Sequence, residues 1–236
     1  MGARRDLRAR IAARRSVRCE VAGCSSFVNR ISRYCARHRD NDQRYGHPLG
    51  RAIRKSETGR FSRILASFIK ANRNHPALTL VFTELDTMVA EGTARAAATP
   101  NAKLAPHDWR PRLDRELSRL HRHGVTPADI FREVGTLWFY SRTYSRELPP
   151  LSRRFHFAAA RAVLSLAPRE GRWSLDGRHK QATRRHSTLV LEHFGRSLTV
   201  ALAGVLRAAE ASFDQHANTI AQRHRSLRAA LEQPFT

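Results

Sequence analysis

The sequence predicts a mainly α protein: a helical bundle preceded by a small zinc-stabilised module of hairpin plus helix and by a basic N-terminal arm. Three observations predict it. All three cysteines lie between Cys19 and Cys35, with His38 three residues on. Beyond residue 60 apolar residues recur at helical spacing almost throughout, with no convincing strand. The 236 residues, 41% of them hydrophobic, can bury one sizeable core, and the 27% that are charged make the surface strongly polar.

The arm is taken as residues 1–18, whose seven arginines, Arg4, Arg5, Arg8, Arg14 and Arg15 among them, suit a segment that orders on nucleic acid. The module is taken as residues 19–48. Its ligand pattern is Cys19, four residues, Cys24, ten residues, Cys35, two residues, His38. Gly23 lets the chain turn tightly before the second thiol. Phe27 and Val28, Asn29-Arg30 and Ile31 suit a short hairpin turning at Asn29. A helix from about Arg33 to Tyr45 places Cys35 and His38 on one face, with Gly46 capping it and Pro48 following. Three thiols and an imidazole at these spacings point to tetrahedral Zn2+, and four protein ligands leave no open position, so the metal is expected to be structural. His47 is an alternative fourth ligand.

On that helix, Cys35, His38, Asp42 and Tyr45 are expected to face the metal and hairpin. Arg33, Arg37, Asn41 and Arg44 lie opposite, residue types that reach phosphates and base edges. Residues 49–60 read as a basic linker, adding Arg51, Arg54 and Lys55 to the candidate nucleic-acid contacts.

CEVAGC…RYCARHRDNDQRYGHP resembles the small zinc modules at the front of many phage and mobile-element proteins, some attached to HNH endonucleases. The resemblance is carried by Gly23-Cys24, Tyr34-Cys35, His38, Arg39, Arg44 and Gly46-His47-Pro48, about thirty residues. It implies a zinc-binding, DNA-associated setting and leaves residues 60–236 without a counterpart.

The helical domain is taken as residues 61–236. Phe61, Ile64, Leu65, Phe68 and Ile69 form the first stripe. Pro76 opens a second helix carrying Leu78, Leu80, Val81, Phe82, Leu85, Met88 and Val89. A third spans about 112–122, ended by Gly124. Thr126-Pro127-Ala128-Asp129 is a strong helix start, followed by an aromatic-rich helix until Pro149-Pro150. Another runs over about 152–167. EGRWSLDGRHK reads as a loop, and a long helical stretch fills about 181–231, a place for self-association.

The formal charge of +23 comes from 43 basic and 20 acidic residues, 39 of the basic ones arginine. Residues 1–60 carry +11 of it, against +4 for 61–150 and +8 for 151–236. Such an excess predicts nucleic acid as the partner, DNA favoured over RNA. With no phosphate loop, triad or paired carboxylates in view, a non-enzymatic role is expected. A nuclease using His75 in NRNHP is the minority reading. His121 and His123 suit a helix C-terminus, and His179, His186 and His193 read as exposed helix positions. Residues 113–139 have a helix-turn-helix flavour, but the aromatic second helix suits a core better, as packing suits Trp138, Phe139, Tyr140 and Tyr144. No apolar stretch follows the charges of MGARRDLRARIAARR, and LTVALAGVL is too short to cross a membrane. A cytoplasmic protein is expected.

Overall fold

The computed structural model describes residues 17–28, 32–100, 105, 107–167, 172–173, 179–180 and 186–231, with the backbone alone for 172–173, 179–180 and 214–231. The arm arginines Arg4, Arg5, Arg8, Arg14 and Arg15 and the expected turn at Asn29 lie outside the described residues. Among the described residues seven helices follow one another: α1 (Ala36–Tyr45), α2 (Lys55–Ala71), α3 (Pro76–Ala98), α4 (Trp109–Arg122), α5 (Pro127–Thr143), α6 (Arg153–Leu164) and α7 (Thr188–Leu231).

Each start has a local cause. Thr126 and Asp129 form a capping box, the threonine hydroxyl accepting from the Asp129 amide and the carboxylate accepting from the Thr126 amide, and Pro127 fills the first turn. Pro76 opens α3 behind His75, whose Nδ1 accepts from the Ala77 amide at 3.2 Å. The Ser152 hydroxyl accepts from the Phe155 amide to start α6.

α5 is the central helix, packed by α2, α3, α6 and α7. Ile130, Phe131, Val134, Leu137, Trp138 and Tyr140 are all buried, around more than one side of it. A helix so enclosed cannot enter a DNA groove, which leaves the helix-turn-helix pattern of 113–139 as packing. On α3 the buried stripe is Leu78, Val81, Leu85 and Val89, closing against Leu117 of α4 at Gly92. Leu80 and Ile64, expected among the buried stripes, are exposed because each lies one position off the core-facing row.

α6 and α7 approach closely at Gly195, where a Cβ would stand 2.0 Å from the His156 carbonyl oxygen. The contact is backbone, which cannot swing aside. Gly195→Ala is therefore expected to push the two helices apart and cost about 3 kcal/mol, the upper end of the usual overpacking range. A urea titration followed by circular dichroism checks it; a midpoint equal to that of the unaltered protein would refute the close approach.

α7 is longer than any other described helix. Val190, Leu191, Phe194, Leu198, Leu202 and Leu206 face the core, and Phe213 closes the contact by packing on Phe68 and Phe139. Thr188–Phe213 is long and apolar enough to cross a membrane by length and composition alone, a span that the nine-residue run 198–206 does not show. Its apolar side is the one that completes the bundle. Within the expected loop 170–180, two short antiparallel strands, β1 (Arg172–Trp173) and β2 (His179–Lys180), pair Arg172 with Lys180 and Trp173 with His179.

Candidate metal centre and the surface around it

Residues 17–28 reverse through the knuckle itself. The Cys19 amide donates to the Ser26 carbonyl at 3.0 Å, the Val28 amide to the Val17 carbonyl at 3.0 Å, and Arg18 pairs with Phe27. Gly23 takes φ 78°, the left-handed conformation that the turn before Cys24 requires. The chain thus reverses at 20–25, where Gly23 lets both thiols of the knuckle point to one place. The Glu20 amide then donates to the Arg33 carbonyl, bringing the third strand of chain alongside.

α1 begins at Ala36, not near Arg33. Cys35 is its N-cap, with ψ 166°, and makes no side-chain capping hydrogen bond. The extended conformation frees its thiol for the cluster, and its amide donates to Cys19 Sγ at 3.4 Å. His38 follows within the first turn. Its Nδ1 lies 3.3 Å from Cys19 Sγ and 3.5 Å from Cys35 Sγ. With Cys24 Sγ, all four ligand atoms lie within 4.8 Å of one another. The edges of a tetrahedron around Zn2+ with thiolate and imidazole ligands are about 3.5–3.8 Å. The cluster is therefore compatible with a Cys3His metal site.

The electrostatics point the same way. Backbone and hydroxyl hydrogen bonds from Ser26 lower the Cys24 thiol. At Cys35 the His38 amide pulls the thiol down, but burial and the neighbouring Cys19 and Cys24 outweigh it and leave the thiol raised. Three crowded thiols resist becoming three thiolates unless a cation joins them. The positive end of α1 at Cys35 adds to that preference. His47 is excluded as the fourth ligand: it is exposed, and its Nδ1 accepts from the Leu49 amide at 3.2 Å.

The far side of the module differs from the expected arrangement. Asp42 and Tyr45 do not face the metal; they face α6. Arg153 bridges Asp42 at 2.9 Å and Glu192 of α7 at 3.2 Å, while its guanidinium stacks on Phe157. Arg161 donates to the Arg44 carbonyl at 2.6 Å and lies over the Tyr45 ring. Arg153, Phe157 and Arg161 recur every fourth residue, one stripe on α6 whose spacing is the sequence signal for this interface. Gly46, the left-handed cap of α1 at φ 68°, leaves only 3.0 Å between a built Cβ and both the Arg153 carbonyl and the Phe157 ring. Gly46→Ala is expected to cost about 1–2 kcal/mol from backbone strain and to loosen the module from α6. Faster hydrogen exchange at Tyr45 and Phe157 with α3 unaffected would show it; unchanged exchange there would refute it.

The candidate nucleic-acid contacts divide by what already holds them. Among the described residues, exposed Arg37 has no side-chain partner, and exposed Arg54 and Lys55 have no ion pair. Arg33 meets Glu20 at 3.4 Å and Arg44 meets Asp40 at 2.9 Å, both exposed pairs that a phosphate can replace at little cost. Asn41 is turned inward, its Nδ2 donating to the Pro48 carbonyl at 3.1 Å, so it braces the exit loop. Arg51 is fixed by both carboxylate oxygens of Glu57, at 2.7 and 2.9 Å, and by Glu147. Lys55 already belongs to α2, so the connection expected over 49–60 shortens to 46–54 and is held at both ends.

This clamp titrates. The Arg51 guanidinium and the Arg54 amide bring the Glu57 carboxyl from 4.5 to about 2. A depressed carboxyl contributes stability above its unfolded pKa, and that contribution is lost as pH falls through the folded value. The attachment of the exit loop is thus expected to weaken between about pH 4.5 and 2. Arg51→Ala should flatten the stability change over this interval; an unaltered pH profile would refute the clamp.

Three of the other histidines make structural contacts. His193 stacks on Trp109 with ring centroids 4.1 Å apart, and His186 Nδ1 lies 3.7 Å from Glu116, so neither is the exposed position expected of it. The side chain of His179 lies outside the described ones. His75 caps α3, and His121 sits in the last turn of α4, followed by His123 as its C-cap. Trp138 and Tyr140 are core residues whose polar atoms reach Glu210 and Glu147. Neither a protein family model, nor a curated protein, nor a solved structure matches this chain.

Proposed function

We propose that this chain is a non-enzymatic, zinc-containing nucleic-acid-binding protein, with duplex DNA the favoured ligand, in the mobile-element setting that its first module resembles. The observation that carries the reading is the closed Cys3His cluster in the most basic quarter of the chain. Three thiols and one imidazole suit a borderline-soft d10 ion such as Zn2+ and do not suit Mg2+ or Ca2+. With all four positions filled by protein, the ion's work is to hold Cys35 and hence the start of α1. Arg37 then stands outward, and Arg33 and Arg44 can exchange their surface carboxylates for phosphates. The arm arginines extend the same footprint.

Elemental analysis of protein purified without chelator should give about one zinc per chain. Anisotropy titrations with duplex DNA, single-stranded DNA and structured RNA of equal length should rank the duplex first and weaken steeply with salt. Tighter binding to RNA would transfer the reading to a ribonucleoprotein subunit. Plasmid incubated with Mg2+ or Mn2+ should stay intact; nicking that disappears in His75→Ala would overturn the non-enzymatic part.

A further inference from the structure

The seam where the module meets the body holds cations that the packing does not consume. Arg154, in the first turn of α6, is half-buried, yet among the described residues its side chain has no hydrogen bond and no ion pair. Its immediate neighbour in sequence, Arg153, is fully engaged by Asp42 and Glu192. The carboxylate placed to serve Arg154 is Glu147, and that group already accepts from Arg51 and from the Tyr140 hydroxyl. Arg154 is therefore partly desolvated with no carboxylate in contact, and burial together with Arg51 lowers its pKa, opposed only in part by the Glu147 charge.

His47 lies on the module's side of the same seam. Its Nδ1 is occupied as an acceptor for the Leu49 amide, so in the neutral ring the proton sits on Nε2, which is left as a donor. Partial desolvation at the seam and the nearby Arg154 charge lower its pKa, which favours the neutral ring. On the body, Arg60 donates to the hydroxyl of the exposed Tyr144 at 3.2 Å and lies over its ring. The half-buried Arg154 and the Nε2 donor of His47 thus meet at the seam, and the Arg60–Tyr144 pair lies between α2 and the end of α5.

We propose that this seam is a phosphate-binding site for a nucleic-acid backbone, with Arg154 as its principal cation and His47 as a second donor. The site rests on the nucleic-acid reading above and extends it: the helical body contributes contacts of its own, and the docked module and body grip one ligand together. A phosphodiester supplies both what Arg154 lacks, a counter-charge, and what the Arg fork and the His Nε2 proton recognise, adjacent oxygen acceptors.

The test compares full-length zinc-loaded protein with Arg154→Gln, and with Arg207→Gln as a control for an exposed arginine on α7 far along the chain from the seam. Each is titrated into a labelled 20-base-pair duplex across a salt series. Because Arg154 has no intramolecular partner, Arg154→Gln should keep its zinc content and melting temperature. Its affinity is expected to fall several-fold and its log–log salt slope to shrink by about 0.9, the loss of one phosphate contact. Arg207→Gln should leave the slope unchanged, and Arg154→Lys should recover the slope but only part of the affinity. A wild-type slope and affinity in Arg154→Gln would overturn the seam site while leaving the nucleic-acid reading in place. Equal losses in Arg154→Gln and Arg207→Gln would also overturn it, by showing an effect of net charge alone. Failure of the unaltered protein to bind any nucleic acid would overturn the underlying reading and the seam site with it.

Discussion

Cys35→Ser is expected to abolish metal binding and unfold residues 17–45 while α2–α7 stay folded. Cys35 does three things at once. Its thiol completes the cluster, its amide donates to Cys19 Sγ, and its backbone starts α1. Serine keeps the cap and the amide but removes the soft thiolate, so the change isolates the metal's contribution. Structural zinc supplies about 10–16 kcal/mol of apparent binding free energy in small modules, far more than the few buried side chains of this one could. Val28, Cys19, Cys35 and His38 are nearly all that the module buries for itself. Chelation of the unaltered protein should reproduce the effect, with release of about one zinc per chain and loss of the protection of α1 in hydrogen exchange. Acid should do the same, because thiolates and imidazole must be deprotonated to bind. A Cys35→Ser protein that still retained one zinc would show that the four residues are not the ligand set.

Arg119→Ala is the second change with a large expected effect. Arg119 lies inside the bundle, with 7% of its surface exposed, and holds Glu116, itself 7% exposed, at 2.8 Å. The same guanidinium donates to the Leu164 carbonyl at 2.8 Å and the Ala167 carbonyl at 3.0 Å. It thereby closes the C-terminal end of α6, whose last carbonyls have no partner within their own helix. Alanine would remove the closest cation from a buried carboxylate and the donor from two carbonyls, and such losses cost about 3–5 kcal/mol. For a domain of this size that lowers Tm by roughly 6–20 °C. Arg119→Met with Glu116→Gln removes both charges together and should recover part of the loss, though the two carbonyls stay unpaired. A single alanine variant melting within two degrees of the unaltered protein, taken as ~0.5–1 kcal/mol, would refute the network's role.

Much of this was legible along the chain because it is written in local chemistry. The Cys19, Cys24, Cys35 and His38 spacing marks the cluster, since these are the residue types and spacings from which one ion can be held. The Thr126-Pro127-Asp129 start, the Pro76 start and the Leu113, Leu117 and Leu120 stripe mark helices whose geometry depends on their own residues. The reversal across residues 20–25 was less legible, because it is fixed by the need for both knuckle thiols to converge and not by a turn dipeptide. Trp138 and Tyr140, readable as stacking residues or core, are decided by the four helices that surround α5.

Arginine is where local reading reached its limit. With 39 arginines in the chain, residue type alone does not say which ones meet a partner and which ones hold the fold. Arg119 is a buried helix clasp, Arg153 and Arg161 seat the module, and Arg51 locks its exit, although each reads in sequence as one more basic surface group. Asn41 likewise looks like a base reader on a helical wheel and is spent on the Pro48 carbonyl.

By itself, then, the sequence determined a mainly helical protein with a four-ligand cluster near its front and a large positive charge, because periodicity, ligand spacing and composition are properties of neighbouring residues. Only the tertiary structure decided that the module is seated on α6, that α5 is closed to any groove, and that Arg154 is left over at the seam. A charge is satisfied or unsatisfied by what comes within about 4 Å of it in space, and those neighbours are separated here by up to a hundred residues and more of chain.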